Sequence, residues 1–585
     1  MLDIIAHRIR GSKGSSVKGR VFFNGKREKG RARRKLLSYV AQEDTLLGVF
    51  TVSETLWFAA RFFYGYNVDT TLLQEKIDAI IDSVGLRDCK DTIVGNIFFK
   101  GLSGGQVRRL SIAVELISSP AILLLDEPTS GLDSASAFAI MQELRGLADL
   151  GHTVLCTIHQ PSSEIWARFD SFMLIAQGKV CYMGPAARAV PFFGSIGYVC
   201  PQQFNPADFV IGMVATDFEV NLFKRPSSIQ ELADAFDKSA LARTAEARVA
   251  LGARVLPANE TLINESKETT ELALEGDNGN AAYASAISAK STDYSVDDAD
   301  ESETLYRRCC VAGNGRAGFF SNLCTLVHRN LLNMVRNPGI ILVREVMYLM
   351  LALVLGLVFL YVGRTYTPQS VNSRNSILFF VGAFFVFMSV AVLPFIIEER
   401  AVFLREKRNG AYTAAPYVVA QFITLLPGTF LIASTTSLLI VFMVSLNGFG
   451  YYLLCLWLSL VVAECFVHLV GSLSPHYIIG IAVAAGVFGI CMVFEGFFIV
   501  FYDIQWYLRW IGYIDPHRYS FRAFMRNEYS TINTTELNGQ TILDFYGFND
   551  SDVIIKTIGG DLGVLVGFAL AYILLFYLVC EFYWR

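Results

Sequence analysis

The chain is short of charge. Of its 585 residues, 17% are Asp, Glu, Lys or Arg and 53% are hydrophobic, whereas a soluble protein has about a quarter charged. That shortage excludes a set of ordinary soluble domains as the whole explanation of its length. A basic excess is missing too. The net charge of -4 argues against nucleic acid as a partner, because that class of protein presents a basic face. The 11 cysteines, Cys89, Cys156, Cys200, Cys309, Cys465 and Cys580 among them, make no CxxC pair and no metal-ligand spacing, so buried or free thiols are expected. The opening stretch MLDIIAHRIRGSKG holds no apolar run long enough for a signal peptide. Membrane insertion is therefore expected to begin at an internal span, which leaves the N-terminal domain in the cytosol.

What is present changes character twice along the chain. Residues 1–225 alternate short apolar runs with amphipathic stretches. Ala121–Leu125 and Val154–Ile158 have the length and composition of buried parallel strands, and Thr71–Ser83 and Ser134–Leu147 carry helical periodicity. That alternation predicts an α/β domain. Residues 226–315 form a second region, acidic and Ser/Ala/Thr-rich around Glu265–Glu275 and Asp293–Glu303. Such a stretch buries too little apolar surface to offset its ordering entropy and is expected to be a flexible linker, with helix possible over Ile229–Val255.

The third region, 316–585, is expected to be an all-α membrane domain. Phe319, Leu323, Val327 and Leu331 recur at helical spacing before Asn337-Pro338-Gly339, the pattern of an amphipathic helix on the inner membrane surface. Six apolar runs of roughly 20 residues, the length that crosses a bilayer core, follow at about 340–362, 376–397, 415–444, 451–473, 478–500 and 562–583. The third contains Pro416 and Pro427, which predict a tilt or kink. Arg400, Arg405, Lys407 and Arg408 lie between the second and third runs, and such a basic cluster belongs on the cytosolic side. An even number of spans then puts both termini in the cytosol and segment 501–561 outside. That segment holds two glycosylation sequons, at Asn533 and Asn549, although Asn259 and Asn264 begin equivalent triplets in the linker. Glu464, His468 and Glu495 are ionisable groups inside spans; Glu464 and His468, four apart, are placed to satisfy each other. Phe379, Phe380, Phe384, Phe385 and Phe387 are expected to pack toward lipid, and Gly512–Tyr529, with Arg518, Arg522 and Arg526 at helical spacing, to form a short or re-entrant helix near the membrane surface.

The chemistry concentrates in the first region. Leu102-Ser103-Gly104-Gly105-Gln106 precedes an amphipathic helix, and glycines after a serine at a helix start let backbone N–H groups approach a phosphate. The strand Ile122–Leu125 ends in Asp126-Glu127, an arrangement suited to a metal–phosphate site, with Asp126 toward Mg²⁺ and Glu127 toward the attacking water. Two solvated acids at a strand end would be the ordinary explanation of that pair alone. Ser130-Gly131-Leu132-Asp133 follows at once, however, and a second strand leads into His159-Gln160-Pro161, where a histidine can sense a γ-phosphate. Upstream, Ser38–Ala41 places Gln42 after a short strand, able to reach the metal or water.

In this order and spacing the motifs resemble those of ABC-transporter ATPase domains. The resemblance implies that Gln42 is the Q-loop residue, Ser103, Gly104, Gly105 and Gln106 the signature, Asp126 and Glu127 the Walker B pair, Asp133 the D-loop acid and His159 the switch. It implies ATP and Mg²⁺ as cofactors and a P-loop NTPase-like α/β fold. Further marks are similar to the G (White-type) subfamily: an ATPase domain ahead of the membrane domain, Thr157–Ser162, Asn205–Phe209, Arg336-Asn337-Pro338, and Glu398-Glu399-Arg400 with Phe403, Arg405 and Glu406. That subfamily implies a half-transporter at the plasma membrane. It would work as a homodimer or heterodimer with another half-transporter, among membrane lipid, on sterols, lipids or other lipophilic small molecules.

One family element is missing from the sequence given. No GxxxxGK[ST] occurs; Gly11–Ser16 has the wrong spacing. In relatives a stretch like Met1–Arg8 follows directly after that P-loop, so an N-terminally incomplete sequence is expected rather than loss of the cradle. The alternative is a catalytically silent subunit that lends its signature to a partner's P-loop. An ABC ATPase merely anchored to the membrane would need one span, not six.

Overall fold

The computed structural model describes residues 1–6, 8, 19, 21–23, 36–96, 99–215, 226, 228–254, 317–530, 532, 538–548 and 557–584. The Gly11–Ser16 stretch, the acidic part of the linker and the four sequon asparagines lie outside them. Two compact units result: Met1–Asp44, Thr51–Val94 and Phe99–Gly315 form the first, and Thr45–Phe50, Gly95–Phe98 and Arg316–Arg585 the second.

In the first unit, β1 (Leu37–Val40), β2 (Ile122–Leu125) and β3 (Thr153–Cys156) make a parallel sheet in that order. Val40 sits opposite Leu125, and Leu125 opposite Cys156. The central strand is the unbroken run Ile-Leu-Leu-Leu, and Leu123, Leu124 and Leu125 are fully buried, as a strand covered on both faces requires. Four helices matter here: α1 (Val52–Tyr64), α2 (Thr70–Ser83), α3 (Gly104–Leu116) and α4 (Ser134–Asp149). The sequence located β2, β3, α2 and α4 to within two residues at most of their termini. It missed the antiparallel hairpin of β4 (Ser171–Ala176) and β5 (Lys179–Pro185). The region assigned to the linker also begins with structure. Helix Ile229–Asp237 buries Ile229, Leu232, Ala233 and Phe236 on one face and joins a cluster with Tyr182, Phe193 and Phe209. Apolar residues at positions i, i+3, i+4 and i+7 give it a stripe to bury.

The second unit is helical. Among the described residues, five helices are long and apolar enough to cross a membrane: α7 (Pro368–Asn409), α8 (Ala414–Val444), α9 (Phe449–Leu473), α10 (Tyr477–Phe494) and α12 (Ile558–Tyr583). Segment 340–362, expected as a further span, forms α6 (Leu342–Val358), only 17 residues long and with Arg344 and Glu345 in its first turn. The apolar run there is shortened by these charges, so six spans are not established. Segment 478–500 stops as a helix at Phe494, followed by Gly496 at φ +104°. α8 runs on through Pro427.

The amphipathic helix α5 (Phe319–Arg336) is built inside out. Its protein-facing side is mostly polar, with Asn322, Thr325, Arg329, Asn330 and Asn333 buried beside Leu326, while Phe319 and Phe320 are exposed. Arg329 Nη1 donates to Glu406 Oε1 at 2.6 Å and Asn333 Nδ2 to Glu399 Oε1 at 2.8 Å. The basic cluster expected in a loop is instead the last turns of α7. Arg400 Nη1 donates to the Gly471 carbonyl at 2.8 Å, and Lys407 Nζ lies 3.6 Å from Glu581 Oε2.

Several of the charges inside the bundle are paired. Arg344 bonds Glu464, so Glu464 is not satisfied by the His468 side chain; His468 Nδ1 instead meets the Glu464 backbone carbonyl at 2.8 Å. Arg374 is fully buried and donates to Glu528 Oε1 at 2.9 Å and to the Gly363 and Thr365 carbonyls at 2.6 and 2.8 Å. Helix α11 (Pro516–Tyr529) is buried from His517 through Tyr529 rather than lying on a surface. Its Arg522 Nε donates to Asp561 Oδ1 at 2.7 Å and its Arg526 Nη1 to Asp561 Oδ2 at 2.5 Å. Arg518 lies over the Phe501 ring, 3.3 Å from its centroid. Of the five clustered phenylalanines, Phe385 is buried and only Phe384 is exposed.

Breaking one partner out of a buried ion pair costs about 3–5 kcal/mol, because the remaining charge stays desolvated. Asp561→Asn should therefore lower the thermal midpoint of the detergent-solubilised protein markedly, read by fluorescence-detected size exclusion. Adding Arg522→Met and Arg526→Met should restore part of it. A single variant that melts with the wild type would show that Asp561 holds nothing together.

Candidate functional site

Parallel register sets the site. Because β1, β2 and β3 run side by side and end together, Gln42, Asp126 and His159 all follow the carboxyl ends of neighbouring strands. That edge is where open α/β sheets bind ligands. Asp126 Oδ1 accepts from Thr157 Oγ1 at 2.7 Å, and its Oδ2 accepts from the Tyr39 hydroxyl at 3.0 Å. Thr157 Oγ1 in turn accepts from the Glu127 N–H at 2.9 Å. Gln42 Nε2 donates to Glu127 Oε2 at 2.8 Å. Three strands thus contribute to one hydrogen-bonded set.

Two backbone positions beside this set are strained. Glu127 has φ 45° and Gln160, after His159, has φ 46°. Left-handed backbone in a residue other than glycine costs on the order of 1–3 kcal/mol and persists where surrounding contacts impose it. At Glu127 the Thr157 and Gln42 bonds are such contacts. His159 is exposed and makes no hydrogen bond among the described residues.

The signature residues form a second cluster. Ser103 caps α3 reciprocally: Ser103 Oγ accepts from the Gln106 N–H at 3.4 Å, and Gln106 Oε1 accepts from the Ser103 N–H at 2.9 Å. Asp133 caps α4, accepting from the Ala135 and Ser136 N–H groups at 3.2 and 3.1 Å. The hydrogen bonds from Ser136 hold its carboxyl below the usual range, so it stays ionised. The two helix starts abut, since a Cβ on Gly105 would come within 3.3 Å of Ser136. Gly104 and Gly105 leave backbone N–H groups open at a positive helix end. Among the described residues, no hydrogen bond links Ser103, Gly104, Gly105, Gln106 or Asp133 to Gln42, Asp126, Glu127 or His159.

Arg108 joins the two clusters, and sequence reasoning did not pick it out. Buried in α3, it donates to the carbonyls of Ala41 (2.6 Å), Asp126 (2.7 Å), Gln42 (3.1 Å) and Pro128 (3.3 Å) and pairs with Asp44 Oδ1 at 3.0 Å. One guanidinium thereby fixes the chain on either side of Gln42 and of the Asp126-Glu127 pair. Tyr39 and Thr157 were missed as well. Thr157 stands two residues before His159, and Tyr39 three before Gln42; only the sheet register reveals that both meet Asp126.

Removing the Arg108 fork leaves buried carbonyls unpaired, at about 1–3 kcal/mol for each unsatisfied group. Arg108→Met should lower the thermal midpoint of this unit by about 6–12 °C if about 3 kcal/mol is lost, measured by calorimetry. No shift would remove Arg108 from the architecture. A second outcome concerns pH. Glu143 on α4 lies 3.3 Å from Arg109, yet burial outweighs that cation and pushes its carboxyl up to about 7. A carboxyl raised above its unfolded value of 4.5 binds its proton more tightly when folded. Its contribution to stability is present at low pH and disappears as pH rises through about 7. Relative to Glu143→Gln, the wild type should lose thermal stability between pH 5 and pH 8; parallel profiles would contradict this assignment.

Comparison with known proteins identifies the family. The ABC transporter family description matches residues 1–130, and ABC-2 type transporter descriptions match residues 321–529 and 159–228. The chain is 34% identical over 538 residues to ABC transporter G family member 11 of Arabidopsis thaliana, covering 90% of this chain and 71% of that protein. It is 30% identical to member 13 of the same plant over 98% of this chain and 83% of that one, and 29% identical to member 1 of Petunia hybrida over 99% and 84%. An ATP-hydrolysing domain thus precedes a multi-pass helical membrane domain, and the chain belongs to the ABC transporter G family as an ATP-driven half-transporter.

Proposed function

We propose that the Gln42–Asp126–Glu127–Thr157–His159 edge supplies the catalytic residues of an ATP site. Hydrolysis there would drive movement of a sterol, lipid or amphipathic small molecule across the plasma membrane, in a dimer with a second half-transporter. The observation that carries this reading is the 2.8 Å hydrogen bond from Gln42 to Glu127, beside an Asp126 whose two oxygens are each fixed by a hydroxyl. The carboxylates and hydroxyls at this edge are hard oxygen donors, and Asp126 and Glu127 are half-buried, which fits Mg²⁺ with a nucleotide phosphate. Bound there, the ion supplies charge neutralisation for phosphate oxygens.

The roles of the chain's own residues follow from their positions. Asp126 would hold the ion, kept in one orientation by Thr157 and Tyr39. Glu127 would accept the proton of the attacking water, and its strained backbone and the Gln42 amide aim the carboxylate. His159, exposed beyond β3, has room to meet a terminal phosphate. Ser103, Gly104, Gly105 and Gln106 would offer their helix N-terminus to nucleotide held by the partner half-transporter, with Asp133 beside them.

The second unit supports lipid and lipophilic cargo. Leu342, Val346, Met350, Val354 and Leu357 are all exposed along α6, an outward apolar stripe that water would penalise and hydrocarbon would not. The basic turns of α7 favour the cytosolic side, with the ATPase domain and both termini there.

In vesicles of purified transporter, Glu127→Gln should keep ATP binding and lose about 10²- to 10⁴-fold in turnover, the share of a general base, together with ATP-dependent movement of a fluorescent sterol or phospholipid. Unchanged turnover would remove Glu127 from its role. Lost turnover with no lipophile moved by the wild type would overturn the cargo class alone.

A further inference from the structure

The C-terminal end of α10 holds a group of side chains that neither the ATP site nor the ion-pair framework uses. Cys491 on α10, Asp515 and His517 offer one thiol, one carboxylate and one imidazole atom that all lie within 4.8 Å of one another. Asp515 and His517 are buried, at 1% and 3% exposure. They are also unsatisfied. Neither ring nitrogen of His517 makes a hydrogen bond, and neither does Asp515 Oδ2. Asp515 Oδ1 is committed, since it accepts from the His517 N–H at 2.9 Å as the cap of α11. That bond holds the carboxylate in place beside the Cys491 thiol. One turn beyond Cys491, Glu495 is fully buried with both carboxylate oxygens unpartnered.

Buried polar atoms without partners cost about 1–3 kcal/mol each, and more when charged. Elsewhere in the second unit the buried acids Glu464, Glu528 and Asp561 each face an arginine. Asp515 faces no arginine; its neighbours are the Cys491 thiol and His517, whose Nδ1 stands 3.3 Å from Asp515 Oδ1. A cation is the missing partner, and the donor set says which kind. Sulfur, nitrogen and oxygen together suit a borderline ion with tetrahedral preference, zinc first among them, and not Mg²⁺ or Ca²⁺, which take oxygen alone. At zinc bond lengths of about 2.0–2.3 Å, tetrahedral ligand atoms stand about 3.4 Å apart, so the three need only draw in by about an ångström. Beside Cys491 and His517 lies a cavity of about 30 Å³, room for one water as a fourth ligand.

We propose that Cys491, Asp515 and His517 form a zinc site that clasps the end of α10 to the start of α11. On binding, the Cys491 thiol gives its proton to solvent, Asp515 binds as carboxylate and His517 as neutral imidazole. Two negative ligands then cancel the ion's charge, and the site is neutral in its apolar surroundings. The sequence hid this site because the short helices Phe501–Asp503 and Arg509–Tyr513 come between Cys491 and Asp515, leaving no ligand spacing to read.

The full chain, purified in nanodiscs and stripped with EDTA, should take up one equivalent of Zn²⁺ by equilibrium dialysis with metal analysis. Co²⁺ in its place should give a thiolate-to-metal absorption band. Cys491→Ser should abolish that band, and Cys491→Ser and His517→Gln should each weaken Zn²⁺ uptake by at least about tenfold, since even outer-sphere partners of a metal ligand are worth that much. Added Zn²⁺, and not Mg²⁺, should raise the wild-type thermal midpoint, a readout that needs no variant to fold. The proposal is overturned if the wild type binds no stoichiometric Zn²⁺ and gains no stability from it. It is equally overturned if well-folded Cys491→Ser and His517→Gln bind Zn²⁺ as the wild type does.

Discussion

Charge removed from water has to meet its complement, and the second unit is organised around that demand. Arg374 with Glu528, Arg344 with Glu464, and Arg522 and Arg526 with Asp561 each tie helices that are distant in sequence. The helices themselves are mostly apolar and would slide against one another at little cost, because lipid tails are as apolar as leucine. A buried guanidinium cannot slide away from its carboxylate without leaving both bare. The ion pairs therefore specify which helices meet and at what height. Arg374 shows the pattern most fully: it also satisfies the carbonyls of Gly363 and Thr365, which lie outside helix interiors and need a donor.

The first unit meets the same demand with backbone carbonyls. Arg108 reaches carbonyls after β1 and β2 at once, so the segments that carry Gln42 and the acidic pair keep a fixed distance. Nearby, two residues hold left-handed backbone. Rigidity at the sheet edge and strain at Glu127 belong together, since strained conformations survive only where neighbours leave no alternative.

Much of this was legible in the sequence, and the reason is local. β2 is an uninterrupted apolar run ended by acids, and α4 starts at an Asp that caps it, so each announces its own limits. The motif order by itself puts Gln42, Asp126, Glu127 and His159 after strand ends. What the sequence hid depends on register and on distant partners. Thr157 and Tyr39 look like ordinary strand residues until parallel pairing sets both against Asp126. Glu464 and His468 look like partners because they are four apart, but Arg344, 120 residues from Glu464, outbids the neighbour on charge. The basic cluster from Arg400 to Arg408 looks like a loop because loops are where charge is usually found; helix continues there because carbonyls and carboxylates of other helices receive it. The hairpin of β4 and β5 turns on Gln177-Gly178, both at positive φ, without the Asn-Gly or Asp-Gly pair that marks such a turn most strongly, and neither strand alternates cleanly between buried and exposed residues.

Helix α5 has a consequence of its own. With its amide and guanidinium side chains turned toward the bundle and its phenylalanines turned away, it inverts the arrangement that makes a helix comfortable in water. Its outer face has a natural home at the boundary between headgroups and acyl chains, so the helix acts as a float. Phe319 and Phe320 give that face two apolar contacts with the acyl boundary, a shallow hold beside the depth to which the long apolar helices reach.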